Sequence, residues 1–268
     1  MKYKLFISDY DRTLGGAPDN NIDAETMEAI ERFIEKGGIF TVCSGRETSS
    51  ITKILRKHNL TGPVVSFQGA RITDIQSGES IFDGGLSLEN ALKALDAVAE
   101  SGLTPIAYGK SELFVEEKNP YVLYYENAVG LCGEVVDIKE HLKNSKECIF
   151  KICWLGDDEV VNRTAERLNA KFEGLGIQFN SGSKNLLEAI NPECGKGSAV
   201  RFLSKLYNIP FDKIITVGDS TNDIDLVKGE WHGVAVGDGR EELKAVAKEI
   251  TVPFKEKPIK TLLEKYCL

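Results

Sequence analysis

The chain has 268 residues, of which 42% are hydrophobic and 28% charged, and its formal net charge is -8. This length and apolar content suit one large domain or two smaller ones. The negative charge argues against general binding to nucleic acid or acidic membranes, because phosphate groups attract basic surfaces. An anionic substrate must therefore be bound by local donors or by a metal ion.

Nothing in the sequence pattern indicates export or membrane insertion. The apolar run after Lys4 is too short for a signal peptide and is interrupted by Asp9 and Asp11. No stretch approaches the ~18 to 20 apolar residues of a membrane span. The six cysteines form no C-x-x-C pair and no metal-ligand spacing, which is typical of buried, reduced thiols. We predict a cytoplasmic protein, monomeric or a weak homo-oligomer, with no nucleic-acid or membrane partner.

The N-terminal part alternates strands and helices, which favours a parallel sheet. The first predicted helix follows Asp23, which can cap it, and ends at Gly37-Gly38. Met27, Ile30 and Phe33 belong to its apolar stripe. The other elements predicted here are strands at 4–8, 39–43 and 63–67, a helix at 48–58 and a hairpin at 70–86.

The C-terminal third repeats this rhythm, whereas the middle differs. The C-terminal elements are predicted helices at 196–207, 223–227, 241–247 and 259–266, and strands at 213–217 and 233–236. In the middle, a helix at 87–100 precedes strands at 105–108 and 112–115 and further mixed elements up to 180. We predict an α/β fold with a doubly wound, mostly parallel sheet (1–85 and 188–268) and an inserted α+β domain at 86–187.

Ligands gather at the carboxyl ends of strands in open α/β sheets, and four polar clusters lie at such ends. The first is Asp9 with Asp11, directly after a buried strand. Two carboxylates one residue apart are costly unless a cation lies between them or one is protonated. The alternative is a loop of solvated acids.

Two further clusters contain groups that suit an anion. Ser44-Gly45-Arg46 offers a hydroxyl, a flexible backbone and a guanidinium at a helix start, although a turn with a surface arginine is the alternative. Lys196, between two glycines, can supply a point charge for phosphate, or it can face solvent. This is not a nucleotide-binding P-loop, because Ile190 stands where that motif needs glycine.

The fourth cluster, at 218–223, combines Asp219, Asn222 and Asp223 in a loop after an apolar strand. Hard oxygen ligands on a strand end suit Mg²⁺, which takes one or two carboxylates besides water and phosphate. Asn222 or Asp223 is also suited to capping the next helix.

These motifs resemble those of the haloacid dehalogenase superfamily of phosphotransferases. The match covers D-x-D-x-T-L at 9–14, S-G-R at 44–46, G-K-G at 195–197 and G-D-x-x-N-D at 218–223. The chain is also similar to the Cof-like group, which carries a large α/β cap between the second and third motifs, where the insert falls here. Residues 68–70 and 233–238 are similar to further segments of that group.

The resemblance implies a magnesium-dependent phosphatase that hydrolyses a small phosphorylated metabolite, such as a sugar phosphate, through an aspartyl-phosphate. Asp9 would be the nucleophile, and Asp11 the general acid and base. The implied phosphate-binding residues are Ser44, Gly45, Lys196 and Asn222. The implied Mg²⁺ ligands are Asp9, Asp11 through its backbone carbonyl, Asp219 and Asp223. Arg12 and Arg46 are candidate substrate contacts, and Arg12 could instead alter the loop.

Three residues depart from the family's usual pattern without removing a catalytic group. Arg12 stands where glycine is commonest, Ser44 replaces threonine, and Asp238 replaces asparagine. Two alternative functions stay open. A phosphomutase would need arginines in the insert, where Arg163 and Arg167 are available. A catalytically silent sensor would bind a phosphate ligand without turnover.

Overall fold

The computed structural model describes residues 1–16, 19–110 and 113–268, leaving aside the side chains of residues 182 and 183. Within these residues the chain forms two compact units. We call Met1–Phe82 with Gly195–Leu268 the core unit, and Asp83–Cys194 the insert unit. The domain predicted at 86–187 falls inside the insert unit.

The strands and helices are numbered in chain order. The strands are β1 (Leu5–Ser8), β2 (Ile39–Cys43), β3 (Pro63–Ser66), β4 (Arg71–Asp74), β5 (Ser80–Asp83), β6 (Thr104–Tyr108), β7 (Leu113–Val115), β8 (Glu134–Val135), β9 (Lys151–Leu155), β10 (Gln178–Ser183), β11 (Leu186–Ile190), β12 (Ile214–Gly218), β13 (His232–Ala235) and β14 (Glu249–Ile250). The helices are α1 (Ala24–Glu35), α2 (Thr48–Lys57), α3 (Leu88–Val98), α4 (Pro120–Val129), α5 (Ile138–Ser145), α6 (Asp158–Phe172), α7 (Lys196–Tyr207), α8 (Ile224–Val227), α9 (Glu241–Lys244) and α10 (Pro258–Tyr266).

The core sheet has the strand order β14-β13-β12-β1-β2-β3-β4-β5. Strand β1 lies inside it and pairs in parallel with both β2 and β12. The pairs β2–β3, β12–β13 and β13–β14 are also parallel, whereas β3–β4 is antiparallel. The carboxyl ends of the parallel strands therefore share one edge, which is where open α/β sheets bind ligands.

Both faces of the core sheet are covered by helices. Phe6 of β1 belongs to an apolar cluster with buried residues of α1, α2 and α10. Its neighbours Leu5 and Ile7 point to the other face and pack with α7 and α8. Because successive residues of a strand face opposite sides, this near-continuous apolar run is what a strand buried on both faces requires. The predicted doubly wound, mostly parallel sheet is confirmed.

Helix α1 shows how local signals place these elements. The Asp23 side chain accepts a hydrogen bond from the backbone amide of Thr26 (3.1 Å) and so satisfies one free donor at the helix start. Ile30 and Phe33 are fully buried on its inner face. The chain turns at Gly37, whose φ of +83° is readily adopted by glycine. The predicted α1 is therefore confirmed.

The insert unit is an α+β domain, as predicted. Its sheet has the order β10-β11-β9-β6-β7-β8. The pairs from β10 to β7 are antiparallel, and β7–β8 is parallel. Residues of α3, α5 and α6 join the sheet in one apolar cluster that includes Phe114, Trp154 and Phe179.

Several local details differ from the sequence prediction. Part of the middle region for which the sequence predicts only mixed elements forms α4, where Asn119 caps the helix and Pro120 is its first residue. Residue 112 of the strand predicted at 112–115 lies outside the described residues, and the helix predicted to end at 247 ends at Lys244. The prediction of buried thiols is wrong for Cys132, which is exposed, and for Cys148, which is half-buried.

Across the described ranges, no helix has both the length and the apolar character that crossing a membrane requires.

Candidate active site

Strand β1 positions Asp9 at the sheet edge where polar side chains converge. The Asp9 amide donates to the Val217 carbonyl of β12 (2.9 Å), so the strand pairing continues through this residue. The Ser8 hydroxyl donates to the Asp9 carbonyl (2.6 Å). The Asp9 side chain is held at a buried position, with 5% of the residue exposed. A carboxylate attached to an inner strand in this way has little freedom to move.

The Lys196 ammonium lies between two buried carboxylates. Its Nζ donates to Asp9 Oδ1 and to Asp223 Oδ1, each at 2.6 Å. Lys196 is 1% exposed and Asp223 is completely buried. Burial lowers the pKa of Lys196, but attraction to Asp9 and Asp223 outweighs it and the net pKa is raised. Burial raises the pKa of Asp9 although Lys196 opposes this shift. The lysine is therefore a fixed positive charge beside Asp9.

Glycine packing places Lys196 at the start of α7. Gly69, with φ of +105°, lies against Gly195: a Cβ added at Gly69 would be 2.1 Å from the Gly195 carbonyl oxygen. A Cβ added at Gly195 would lie 2.3 Å from Asp225 Oδ2. That Asp225 oxygen accepts from the Gly197 amide (2.9 Å), one of the free donors of the first helical turn. Close contacts on both sides thus set the position of Lys196.

Asp219 and Asp223 follow β12 in a loop that their own hydrogen bonds organise. Asp223 Oδ2 accepts from the backbone amides of Asp219 and Ser220, both at 3.1 Å. The Thr13 hydroxyl donates to Asp219 Oδ1 (3.4 Å). Burial and repulsion from Asp223 raise the pKa of Asp219 to about 6, while Arg12 and Lys196 act to lower it. Asp223 is therefore held at both oxygens, while Asp219 is held more loosely.

Asp9, Asp219 and Asp223 form a group that fits a divalent cation. One carboxylate oxygen from each lies within 4.8 Å of the others. Three hard oxygen donors on strand ends are the ligand type that Mg²⁺ and similar ions prefer. Crowded carboxylates also repel one another, and a bound cation relieves that repulsion. The donor set and its electrostatics both fit a hard divalent metal ion.

Asp11 projects differently from Asp9 and is paired with Arg46. Arg46 Nε donates to Asp11 Oδ2 (2.9 Å) and Nη2 donates to Oδ1 (2.6 Å), which is a bidentate ion pair. The same Nη2 donates to Asn20 Oδ1 (2.9 Å), and the guanidinium lies 5.0 Å from the Tyr10 ring centroid. Both oxygens of Asp11 are thus occupied, although about half of its side chain is exposed.

The other predicted phosphate-binding residues lie on neighbouring loops. Ser44 continues β2, its amide donating to Val65 (2.9 Å), and its hydroxyl accepts from the Arg46 amide (3.1 Å). A Cβ on Gly45 would lie 2.4 Å from Gln68 Nε2, and Gln68 Oε1 accepts from Asn222 Nδ2 (3.4 Å). Gln68 therefore connects the loops after β2 and β12.

Sequence reasoning assigned no role to three residues that organise this site. Gln68 and Gly69 stood in a segment noted only for its resemblance, and Asp225 follows the fourth motif by two residues. The left-handed backbone of Gln68, with φ of +57°, has no clear sequence signal. The sequence does offer a signal for Asp225, because this carboxylate lies two residues after the fourth motif.

Comparison with known proteins identifies the family of this chain. A sequence profile of the haloacid dehalogenase-like hydrolases matches residues 6–263. The chain belongs to this family. The predicted resemblance is confirmed, and so is the prediction that the chain is a hydrolase of this type.

Several relatives match this haloacid dehalogenase-like hydrolase over most of their own length. A Haemophilus influenzae protein named as a candidate phosphatase is 27% identical over 99% of this chain and 98% of its own. An HMP-PP phosphatase of Klebsiella pneumoniae is 24% identical over 90% of this chain and 87% of its own. The structure of a Plasmodium vivax protein, described as a candidate HAD/COF-like hydrolase, has a TM-score of 0.81 at 25% identity and covers 98% and 95% of the two chains.

Proposed function

We propose that this hydrolase is a magnesium-dependent phosphatase that forms an aspartyl-phosphate on Asp9. The carrying observation is the buried cluster in which Lys196 bonds to Asp9 and Asp223, with Asp219 alongside. Phosphoryl transfer through a covalent intermediate requires a nucleophile, a nearby positive charge and a metal site, and this cluster offers a carboxylate, a fixed ammonium and a group of carboxylates that fits a metal ion. The predicted alternatives, a phosphomutase and a silent sensor, become outcomes of the test below.

The reaction divides into two displacements at phosphorus. The Asp9 carboxylate attacks phosphorus and the bond to the ester oxygen breaks, while Asp11 gives that oxygen its proton. Asp11 then takes a proton from water, whose oxygen attacks phosphorus and releases phosphate and free Asp9. Because Arg46 donates to both oxygens of Asp11, this ion pair must open and Asp11 must take up a proton from solvent before it can act as the general acid. The released Arg46 is then available to an anionic part of the substrate.

The remaining residues bind the phosphoryl group. Lys196 neutralises charge on its oxygens, and Ser44, Gly45 and Asn222 supply donors from neighbouring loops. Asp9, the backbone of Asp11, Asp219 and Asp223 would hold Mg²⁺, with Asp223 anchored by backbone amides. When bound, Mg²⁺ supplies further positive charge to the phosphoryl oxygens.

The substrate belongs, in this proposal, to the small phosphorylated metabolites. Support comes from the relatives named HMP-PP phosphatase, which match 90% of this chain in the case of the Klebsiella protein. It comes also from the net charge of -8, which leaves anion binding to local groups such as Lys196. We assign substrate selection to the domain predicted at 86–187 and to Arg12 and Arg46.

The test is Asp9→Asn, assayed with p-nitrophenyl phosphate and Mg²⁺. Loss of the nucleophile should reduce turnover by about a thousandfold or more, with an unchanged circular dichroism spectrum. Asp212→Asn, the same exchange at an exposed site of the core unit, is the control and should keep wild-type activity. Full activity of Asp9→Asn would overturn the mechanism.

A wider panel separates the alternatives. Sugar phosphates, nucleotides and HMP-PP should include at least one ester hydrolysed faster than p-nitrophenyl phosphate. If no ester were turned over with Mg²⁺ present, the silent sensor would be the better description. If, with a sugar bisphosphate added, isomerised sugar phosphate accumulated faster than free phosphate, the protein would be better described as a phosphomutase.

A further inference from the structure

Arg12 adopts a backbone conformation that favours glycine. Its φ is +58°, in the left-handed region where a side chain is strained. The loop imposes this conformation, because the Arg12 amide donates to the Gly15 carbonyl (2.8 Å). Strained backbone positions of this kind cluster at active sites.

The Arg12 guanidinium lies between two carboxylates from distant parts of the chain. Its Nε is 3.6 Å from Asp219 Oδ2, and its Nη2 is 3.4 Å from Asp238 Oδ2. Asp238 is itself fixed, since its Oδ1 accepts from the Phe254 amide (2.8 Å). The Arg12 side chain is 66% exposed and can therefore change partners without disturbing the core.

Arg12 contacts a carboxylate that is also part of the candidate metal site. One of its oxygens accepts from Thr13, and the other faces Arg12. Asp219 also belongs to the carboxylate group that fits a divalent cation. A positive guanidinium beside this oxygen competes with a metal ion for the same negative charge. Asp238 offers the guanidinium a second acceptor away from the cluster.

We propose that Arg12 and Asp238 set the metal affinity of the site. Without a cation Arg12 pairs with both Asp219 and Asp238, and when a divalent cation binds Asp219 the guanidinium keeps Asp238 as its partner. Arg12 is thus a positioning residue, and Asp238 weakens its competition with the metal. This inference rests on the proposed metal site.

Calorimetric titration of Mg²⁺ into the full-length, EDTA-treated protein tests the pair without measuring activity. Arg12→Gln keeps a side chain at the strained position but removes the charge, and should tighten Kd about two- to fivefold, the scale of an exposed ion pair. Asp238→Asn should weaken Kd by a similar factor, because Arg12 then has Asp219 as its remaining partner. Arg12→Lys, which keeps the charge, should stay closer to wild type than Arg12→Gln.

The double variant decides whether the two residues act together. In the Arg12→Gln background, Asp238→Asn should change Kd less than twofold, since the competing guanidinium is gone. Arg163→Gln, which removes an exposed positive charge in the insert unit, is the control and should leave Kd unchanged. The proposal that Arg12 and Asp238 act together would be refuted if Asp238→Asn had equal effects in both backgrounds, or if Arg12→Gln left Kd unchanged. Undetectable Mg²⁺ binding by wild type would instead overturn the proposed metal site itself, and this inference with it.

Discussion

The core unit and the insert unit treat their buried charges in opposite ways. In the core unit Asp9 and Asp223 bond to Lys196, Asp219 lies close to both carboxylates, and the pKa values of Asp9 and Asp219 are raised. A raised carboxylate pKa means that the fold disfavours the ionised form. Three carboxylates thus share one lysine, and a further cation would relieve the repulsion that remains.

The insert unit instead gives a buried acid its own partners. Glu126 of α4 accepts from the Lys118 ammonium and from the Gly133 amide. Burial acts to raise the pKa of Glu126, but these hydrogen bonds outweigh it and the net pKa is lowered. Lys151 and Glu188 form a similar pair across β9 and β11 (2.7 Å). Paired charges here support the fold, whereas crowded carboxylates with raised pKa values, as in the core unit, are typical of functional sites.

The largest expected difference follows from removing one lysine in each unit. Lys196→Met leaves Asp9 without its fixed positive charge, and kcat for p-nitrophenyl phosphate should fall by about a hundred- to a thousandfold. Lys118→Met leaves Glu126 without its ion pair, which should cost about 1–3 kcal/mol of unfolding free energy with kcat within about twofold. Similar kcat losses in both variants would break the comparison.

Glycine substitutions should give the next largest difference. Gly69→Ala brings a Cβ to 2.1 Å from the Gly195 carbonyl oxygen and should cost about 2–4 kcal/mol, measured by urea unfolding. Gly102 of the insert unit also has positive φ (+77°), but an added Cβ would meet nothing within 4 Å. Gly102→Ala should therefore cost only about 1 kcal/mol. Equal losses would show that backbone strain, and not contact with the start of α7, limits Gly69.

The smallest expected effect is a difference in pH dependence in metal-free protein. The pKa of Asp219 is raised to about 6, so the folded state holds its proton up to a higher pH than the unfolded state. The stability that this group contributes is present below its unfolded pKa and is lost as pH rises through about 6. Asp219→Asn avoids that loss, and from pH 5 to pH 7 it should gain about 1–2 kcal/mol of unfolding free energy relative to wild type.

For Glu126→Gln we expect a pH dependence of the unfolding free energy with the opposite sign. Because its pKa is lowered in the fold, Glu126 contributes stability above its unfolded pKa, and this contribution is lost as pH falls. Glu126→Gln should thus be less stable than wild type at pH 7, and the gap should narrow below about pH 4. The same sign of pH dependence in both variants would contradict the proposed contrast between the units.

Much of the fold could be predicted because its signals are local. The Asp23 cap, the glycines after α1 and the apolar run of β1 each specify an element within a few residues. Open α/β sheets bind ligands at the carboxyl ends of their parallel strands, and this rule predicts that the polar motifs meet at one end of the sheet. Strands β8 and β14, at two residues each, are too short to show a pattern.

The side-chain pairs of the site could not be predicted in the same way. Arg46 was expected to contact the substrate, yet it is bonded to Asp11, 35 residues away in sequence. Arg12 and Asp238 appeared as two unrelated departures from the family pattern, although they lie 226 residues apart in one ion pair. Which long side chains meet depends on the completed fold, and no local periodicity encodes it. The catalytic roles of Asp9 and Asp11 themselves stay predictions until they are tested.

The position of β1 between β2 and β12 also has a consequence for synthesis on the ribosome. Strand β2 follows β1 closely, but β12 begins at Ile214, so at about 5 to 20 residues per second it is made roughly 10 to 40 s later. During that interval one edge of β1 has no β12 to pair with, whereas the strands of the insert unit's sheet, which end at Ile190, are all made before β12 begins. An unpaired edge is a template for association with other chains. We therefore expect the nascent core unit to be the part of the chain that most needs chaperone protection.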